Sequence, residues 1–329
     1  MRRIAVGLIG AGKHGQRYAH HVRTDVPELR IAALSRRDVD AGREHARALG
    51  CRFHPDWHDL VADPEVDAVI SVVPPALHPA IATAVGAAGK PLLIEKPLAT
   101  TGERAIEVVH TLRTNGIPVL MAHTLRWNTV VRAVRERLPD FGRLRTLYLT
   151  QRFEPSPLAW LDDPEIAGGG ILLHTGVHSF DLVRWLTCSE VTRVWCRTAR
   201  VVTRRTEDTF VAILELAERD VMVTVTGSRA TGARTGLIDV ACEGGQLVGD
   251  HAQGVAWTVR GLDRTPVAVG EPVPTVREAL RAFVRLVLDG EPPPVTIEDG
   301  ADAVLIAEAC LRSAATGAAV VVGHCPRAV

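Results

Sequence analysis

Apolar residues in the first 122 positions fall in short runs separated by stretches of helical period. Five runs have strand length: Ile4–Ile9, Arg30–Leu34, Ala68–Val73, Pro91–Ile94 and Pro118–Ala122. Helix-period segments lie between them, near 13–24, 40–49, 78–88 and 101–115. A strand that is apolar on both faces belongs in a parallel sheet covered by helices. Right-handed crossovers then give a doubly wound α/β fold. Gly89 and Gly116 each follow a helical segment and precede a proline-led strand, as helix stops do.

After Ala122 the rhythm changes. A helix near 129–138 leads into a long strand, Arg143–Phe153, and then a proline-rich stretch through Pro164. The glycine triplet 168–170 opens a helix over about 171–187. From about 191 to 260 the pattern alternates, as in Thr209–Leu216 and Val221–Thr226, which predicts a large open, mostly antiparallel sheet. Two helices near 275–289 and 299–316 close the chain. Two domains are expected: residues 1–122 form a doubly wound parallel (Rossmann) sheet that binds a dinucleotide. Residues 123–329 form an α+β domain, to which the resemblance described below adds substrate binding and oligomerisation.

Composition narrows the function. Lys+Arg and Asp+Glu both number 38, so there is no basic excess to hold nucleic acid. No apolar run is long enough to span a membrane. The start, Met1-Arg2-Arg3-Ile4, moves straight into a strand and makes a poor signal peptide, so a cytoplasmic protein is expected. The six cysteines are scattered without a C-x-x-C pair, which fits reduced thiols. Lysine is scarce: Lys13, Lys90 and Lys96 are the only three, and every other basic residue is arginine. An amine placed in such a chain is a candidate for a group that must release a proton.

Gly10-Ala11-Gly12-Lys13-His14-Gly15 fits G-x-G-x-x-G between an apolar strand and a helix. Gly10 is expected to make the tight turn and Gly12 to let backbone approach a pyrophosphate. Gly15 lets the helix pack on the strand. Lys13 and His14 fill the variable positions at the helix N-terminus, where N–H groups meet phosphate. At the next strand end, Leu34-Ser35-Arg36-Arg37-Asp38, Ser35 stands where an acid would select NAD, and Arg36 can bond a 2′-phosphate. NADP is therefore favoured over NAD, with Asp38 as the residue that could reverse the preference. Pro74, Pro75, Glu95, Lys96 and Pro97 lie at further strand ends, where open sheets bind ligands.

Together with the glycine loop, three segments make the chain resemble the glucose–fructose oxidoreductase/inositol dehydrogenase (Gfo/Idh/MocA) family. They are Ser71-Val72-Val73-Pro74-Pro75-Ala76-Leu77-His78, Glu95-Lys96-Pro97, and the run from Gly168 to Asp181 that carries His174 and His178. The resemblance implies NAD(P)-linked hydride transfer at a secondary alcohol or ketone of a sugar or cyclitol. It also implies a cis Lys96–Pro97 bond and a homodimer or homotetramer packed through the second sheet. Lys96 is then the expected proton donor or acceptor, with Glu95 holding it and His78 either capping the nicotinamide end or simply starting a helix.

His174, His178 and Asp181 are spaced to share one helical face. His174 and His178 are the further catalytic candidates, able to take a proton or bond substrate. Two histidines four apart can also bind zinc, but no third ligand signature accompanies them, so no metal is expected. Arg126, Trp127 and Asn128 are candidates for substrate, and Trp160, with Asp163, for closing over it. The resemblance places Asp where this chain has His174, which puts an inositol-type proton relay in question. Two other functions therefore stay open: a redox-neutral NAD-dependent glycoside hydrolase or lyase, and a non-catalytic cofactor-binding protein.

Overall fold

The computed structural model describes residues 3–217 and 220–327, so Met1 and Arg2 of the N-terminal expectation lie outside it. The chain forms two compact units. The first comprises the chain up to Ala99, Glu103–Thr124 and Pro274–Ala301; the second comprises Thr100–Gly102, Leu125–Val273 and the chain from Asp302 on.

The first unit carries β1 (Ile4–Ile9), β2 (Leu29–Ser35), β3 (Arg52–His54), β4 (Ala68–Ser71), β5 (Leu92–Glu95) and β6 (Val119–Ala122). All pair in parallel, in the order β3-β2-β1-β4-β5-β6. Helices α1 (Lys13–Thr24), α2 (Val39–Leu49), α3 (Trp57–Ala62), α4 (His78–Ala87) and α5 (Gly102–Thr114) connect them. Strands β1, β4, β5 and β6 are buried along their whole length, which is why each reads as a continuous apolar run. The sequence pattern missed β3 and α3, because β3 is three residues long and none of them is fully buried. Chain order reverses between β1 and β4, whose last residues Ile9 and Ser71 are register partners. Gly10 and Val72 thus emerge side by side, at the switch point where such sheets take ligands.

The second unit contains α6 (Thr129–Arg137), β7 (Leu144–Arg152), α7 (Pro164–Ala167) and α8 (Val177–Thr187). There follow β8 (Val191–Ala199), β9 (Thr209–Leu216), β10 (Met222–Ser228), β11 (Thr235–Cys242), β12 (Gly245–Asp250), β13 (Val255–Arg260) and β14 (Asp263–Pro266). Helix α9 (Thr275–Leu288) packs in the first unit on α1 and β6. Helix α10 (Ile297–Thr316) and β15 (Val320–Val321) end the chain's regular structure. The nine strands run β14-β13-β12-β11-β7-β10-β9-β8-β15. Every pair is antiparallel except β10 with β7, which makes the sheet mixed at its centre. β9 shows the expected alternation, with Phe210, Ala212, Leu214 and Leu216 buried and Val211, Ile213 and Glu215 exposed. Among the described residues, no helix is long and apolar enough to cross a membrane.

Candidate active site

The glycine loop of the first unit is built as its spacing predicts. Gly10 has φ +94°, and a Cβ there would lie 2.1 Å from the Val72 carbonyl oxygen. A Cβ on Gly15 would lie 2.0 Å from the Gly10 carbonyl oxygen. Gly12 is different: nothing lies within 4 Å of its missing Cβ. Gly12 also starts α1, and no side chain caps that helix. The loop therefore has both a clear approach and an uncapped set of helix N–H groups, which are the features a pyrophosphate needs. The residues present fit a dinucleotide.

At the end of β2, Ser35 is buried and its carbonyl accepts from the Gly10 N–H at 2.9 Å. The Arg36 guanidinium folds back on the loop, donating from Nη1 to the Ala11 carbonyl at 3.2 Å and to His45 Nδ1 at 3.1 Å. Asp38 caps α2, accepting from the Ala41 N–H at 3.1 Å, and stands 3.9 Å from Arg36. His45, which the sequence did not single out, also meets Gln16 of α1 at 3.1 Å.

Glu95 ends β5 fully enclosed. Its Oε1 accepts from Tyr18 Oη at 2.6 Å and from His14 Nε2 at 2.7 Å, and its Oε2 accepts from the Lys96 N–H at 3.1 Å. Burial works against its charge. The His14 and Tyr18 bonds and the Lys96 ammonium outweigh it and hold the carboxyl down to about 2. Burial and the Glu95 charge together push the Tyr18 phenol well up. So the sequence assigned Glu95 one partner, while the fold gives it three donors, two of them from α1. Lys96 is half-buried beside it, and the Lys96–Pro97 peptide is cis.

His78 opens α4 as a buried ring. Its Nδ1 donates to the carbonyls of Pro97 and Leu98, each at 3.1 Å. Burial pulls the imidazole down to about 4, so it is neutral near pH 7. His78 Nε2 is therefore a bare acceptor with no partner among the described residues. Pro74 lies just before the short turn that leads into this helix.

In the second unit, the segment expected to be one regular helix begins with a π-helical turn, Leu172–Gly176, and becomes α-helical only from Val177. His174 lies in the π-helical turn, and His178 and Asp181 lie in the α-helix that follows it. Gly170 is there because a Cβ would fall 1.8 Å from the Glu207 carbonyl oxygen. The Glu207 carboxylate accepts from the N–H groups of Gly170 and Leu172 at 2.9 and 3.0 Å, fixing the start of this turn. Burial pushes its carboxyl up. Arg229 Nη2 donates to Thr175 Oγ1 at 3.1 Å, next to His174, and burial pulls the guanidinium down to about 10. Neither Glu207 nor Arg229 stood out in the sequence, since each acts on a segment far along the chain.

His174 is buried and meets the half-buried Trp160 ring edge-on at 5.3 Å between centroids. This puts Trp160, a loop residue, on one of the two histidines. His178 is half-buried. The three residues after β6 have other engagements. Arg126 is buried and paired in two-pronged fashion with Asp181, Nε to Oδ2 at 2.9 Å and Nη2 to Oδ1 at 2.5 Å. Asp181, which the spacing set on one face with His174 and His178, is thus engaged with Arg126. Trp127 is packed in the interior, and Asn128 Oδ1 caps α6 through the N–H groups of Val130 and Val131 at 2.9 and 3.3 Å. Arg126 and Asn128, expected from the sequence at substrate, thus also have structural partners within the second unit. Asp163 likewise caps α7.

Residues 4–123 match the oxidoreductase family NAD-binding Rossmann fold model named GFO_IDH_MocA, and residues 131–248 match the GFO/IDH/MocA C-terminal domain. An inositol 2-dehydrogenase 2 from Saccharopolyspora erythraea is 34% identical, covering 98% of this chain and 96% of its own. Among solved structures, an oxidoreductase domain protein from Kribbella flavida superposes with a TM-score of 0.89 at 22% identity, covering 98% of this chain and 100% of its own. A levoglucosan dehydrogenase in complex with NADH gives 0.89 at 21% identity, with the same coverage. The chain belongs to the GFO/IDH/MocA family of NAD-binding oxidoreductases.

Proposed function

We propose that this protein interconverts a secondary alcohol and its ketone on a cyclitol or sugar, with NADP favoured as the cofactor and Lys96 as the proton donor or acceptor. The observation that carries the proposal is the pairing, within one unit, of an open, uncapped glycine loop and an amine beside an ionised carboxylate. When bound, the nicotinamide supplies the hydride acceptor or donor. Oxidation also requires the hydroxyl to lose its proton, and the Lys96 amine takes it. Arg36, Gly12, Lys13, His14 and the first turn of α1 hold the dinucleotide. Pro74 and His78 border its nicotinamide end. His174 and His178 bond substrate hydroxyls, and Trp160 stacks on the substrate's apolar face.

Support for NADP comes from Ser35 and Arg36 at the ribose position, with Asp38 committed to capping α2. Support for a cyclitol comes from the inositol 2-dehydrogenase relative, which aligns over nearly its whole length. A homodimer or homotetramer through the nine-stranded sheet is part of the same proposal.

Fluorescence titration with NADPH and NADH, then a turnover screen including myo-inositol and levoglucosan, tests it. NADPH is expected to bind more tightly, and tenfold tighter NADH, about 1.4 kcal/mol, overturns the cofactor preference. Lys96→Ala is expected to cut turnover by about 10²-fold or more with cofactor affinity little changed. Undiminished turnover rejects the role of Lys96. Tightly copurified cofactor with no net NADPH formed instead identifies redox-neutral chemistry.

A further inference from the structure

Glu95 is a deeply enclosed charge of the first unit, and it lies one residue from the amine proposed to handle the substrate proton. A desolvated carboxylate left alone takes up a proton. Here Tyr18, buried in α1, and His14, half-buried one turn earlier, both donate to the same oxygen, while the Lys96 N–H holds the other. Both α1 donors lie far from Glu95 in sequence, by 77 and 81 positions. We propose that Tyr18 and His14 are positioning residues that share the charge of Glu95 with Lys96 and so set how firmly that amine holds its proton. This rests on the reading of Lys96 given above.

The electrostatics run in one direction. An ionised carboxylate beside an amine favours the ammonium form. Glu95 stays ionised across the range in which an amine titrates, and Tyr18 and His14 share its charge with Lys96. A carboxylate that loses one of these donors leans harder on the ammonium, and the amine holds its proton to higher pH. The groups around Glu95 are His14 and Tyr18 from α1, Lys96 on its own strand and His78 from α4; Arg17 is the next charge, acting on Tyr18. His78 is held neutral by its own burial, which leaves His14, Tyr18 and Lys96 as the neighbours that matter. His14 adds a second consequence. Its backbone N–H belongs to the helix turn offered to the pyrophosphate, and its ring holds Glu95. One residue thereby ties the cofactor loop to the amine.

The scarcity of lysine makes a direct test practical. The full chain without cofactor is labelled with trace acetic anhydride across a pH series, and acetylation at Lys13, Lys90 and Lys96 is followed by mass spectrometry. Each amine gives its own titration midpoint, independent of turnover. Glu95→Gln is expected to lower the Lys96 midpoint by about one unit or more. Tyr18→Phe and His14→Gln are expected to shift it the other way, upward and by less, with Lys13 unmoved in all three. The acidic limb of kcat/KM for myo-inositol or levoglucosan oxidation should move with the midpoint in each variant. A Lys96 midpoint that stays put or falls in Tyr18→Phe and His14→Gln overturns the inference. Should Tyr18→Phe fail to fold, His14→Gln decides alone, because that ring is partly exposed. Full turnover in Lys96→Ala would reject the catalytic reading while leaving the labelling result intact, so the two failures are distinguishable.

Discussion

His78 is a base that the fold keeps uncharged, and that has a cost in acid. Its ring titrates at an ordinary 6.5 when exposed and at about 4 in the folded chain. Between these values the unfolded chain takes up a proton that the folded chain refuses, so stability falls as pH drops from 6.5 to about 4. The loss should approach an order of 3 kcal/mol by the lower limit. Glu95 acts later, its contribution fading from about 4.5 down to about 2 as its carboxylate is finally protonated. Urea unfolding at a series of pH values checks both. His78→Asn should flatten the upper window only, and Glu95→Gln the lower only. Arg126 and Asp181 give a further residue-scale expectation. Removing one member of a buried two-pronged pair strands the other, so Asp181→Asn should cost about 3–5 kcal/mol in the same assay. At this scale the sequence was legible wherever a residue's neighbours set its role. Gly10 is a case of that kind, while the cis bond before Pro97 was expected from the resemblance carried by Glu95-Lys96-Pro97. The sequence was opaque where the role depends on a contact across the chain, as with Tyr18 on Glu95, Glu207 on Gly170, or Asp181 turning to Arg126.

Among the elements, the glycine loop separates structural from functional requirements cleanly. Gly10 and Gly15 are needed by the fold, since a side chain at either would collide with backbone at about the length of a bond and a half. Gly12 has open space and an ordinary φ of −75°. Gly12→Val should therefore leave the melting temperature nearly unchanged while weakening NADPH binding by about tenfold or more, roughly 1.4 kcal/mol. Gly15→Val should unfold or strongly destabilise the first unit. Differential scanning fluorimetry with and without NADPH distinguishes the two. The π-helical turn at Leu172–Gly176 shows the limit of periodicity. Its side chains read as helix, and its apolar residues Leu172 and Leu173 are buried as a helix would bury them. Nothing local announces the inserted residue; Glu207, just before β9, and Arg229, just after β10, hold the turn. The same reasoning explains β3, whose three residues give no apolar run to detect.

Among the described residues, helices pack on one face of the nine-stranded sheet. Helix α8 packs against β7 and β10, and Ser313 of α10 accepts from the Cys196 N–H of β8 at 2.9 Å. On the other face a single cross-strand row runs Trp195, Ile213, Thr224, Tyr148, Asp239, Val248 and Trp257, each opposite the next. Trp195 and Ile213 are 37% and 42% exposed, and Val211 and Met222 beside them 44% and 63%. An apolar patch of this kind on a broad, flat sheet suits a second copy of the same sheet, because an isologous contact buries the row against itself. Partial burial already pushes the Asp239 carboxyl up in the single chain. Ile213→Glu places like charges across a two-fold contact in the middle of the apolar stretch. It also stands clear of the packed face, on which its neighbours Ala212 and Leu214 are buried. The variant should therefore keep the wild-type melting transition at low concentration, yet sediment as a monomer in analytical ultracentrifugation, where the parent chain is expected to sediment as a dimer or tetramer. A parent chain that is monomeric at micromolar concentration, or a variant that remains associated, removes the sheet face from consideration as the contact.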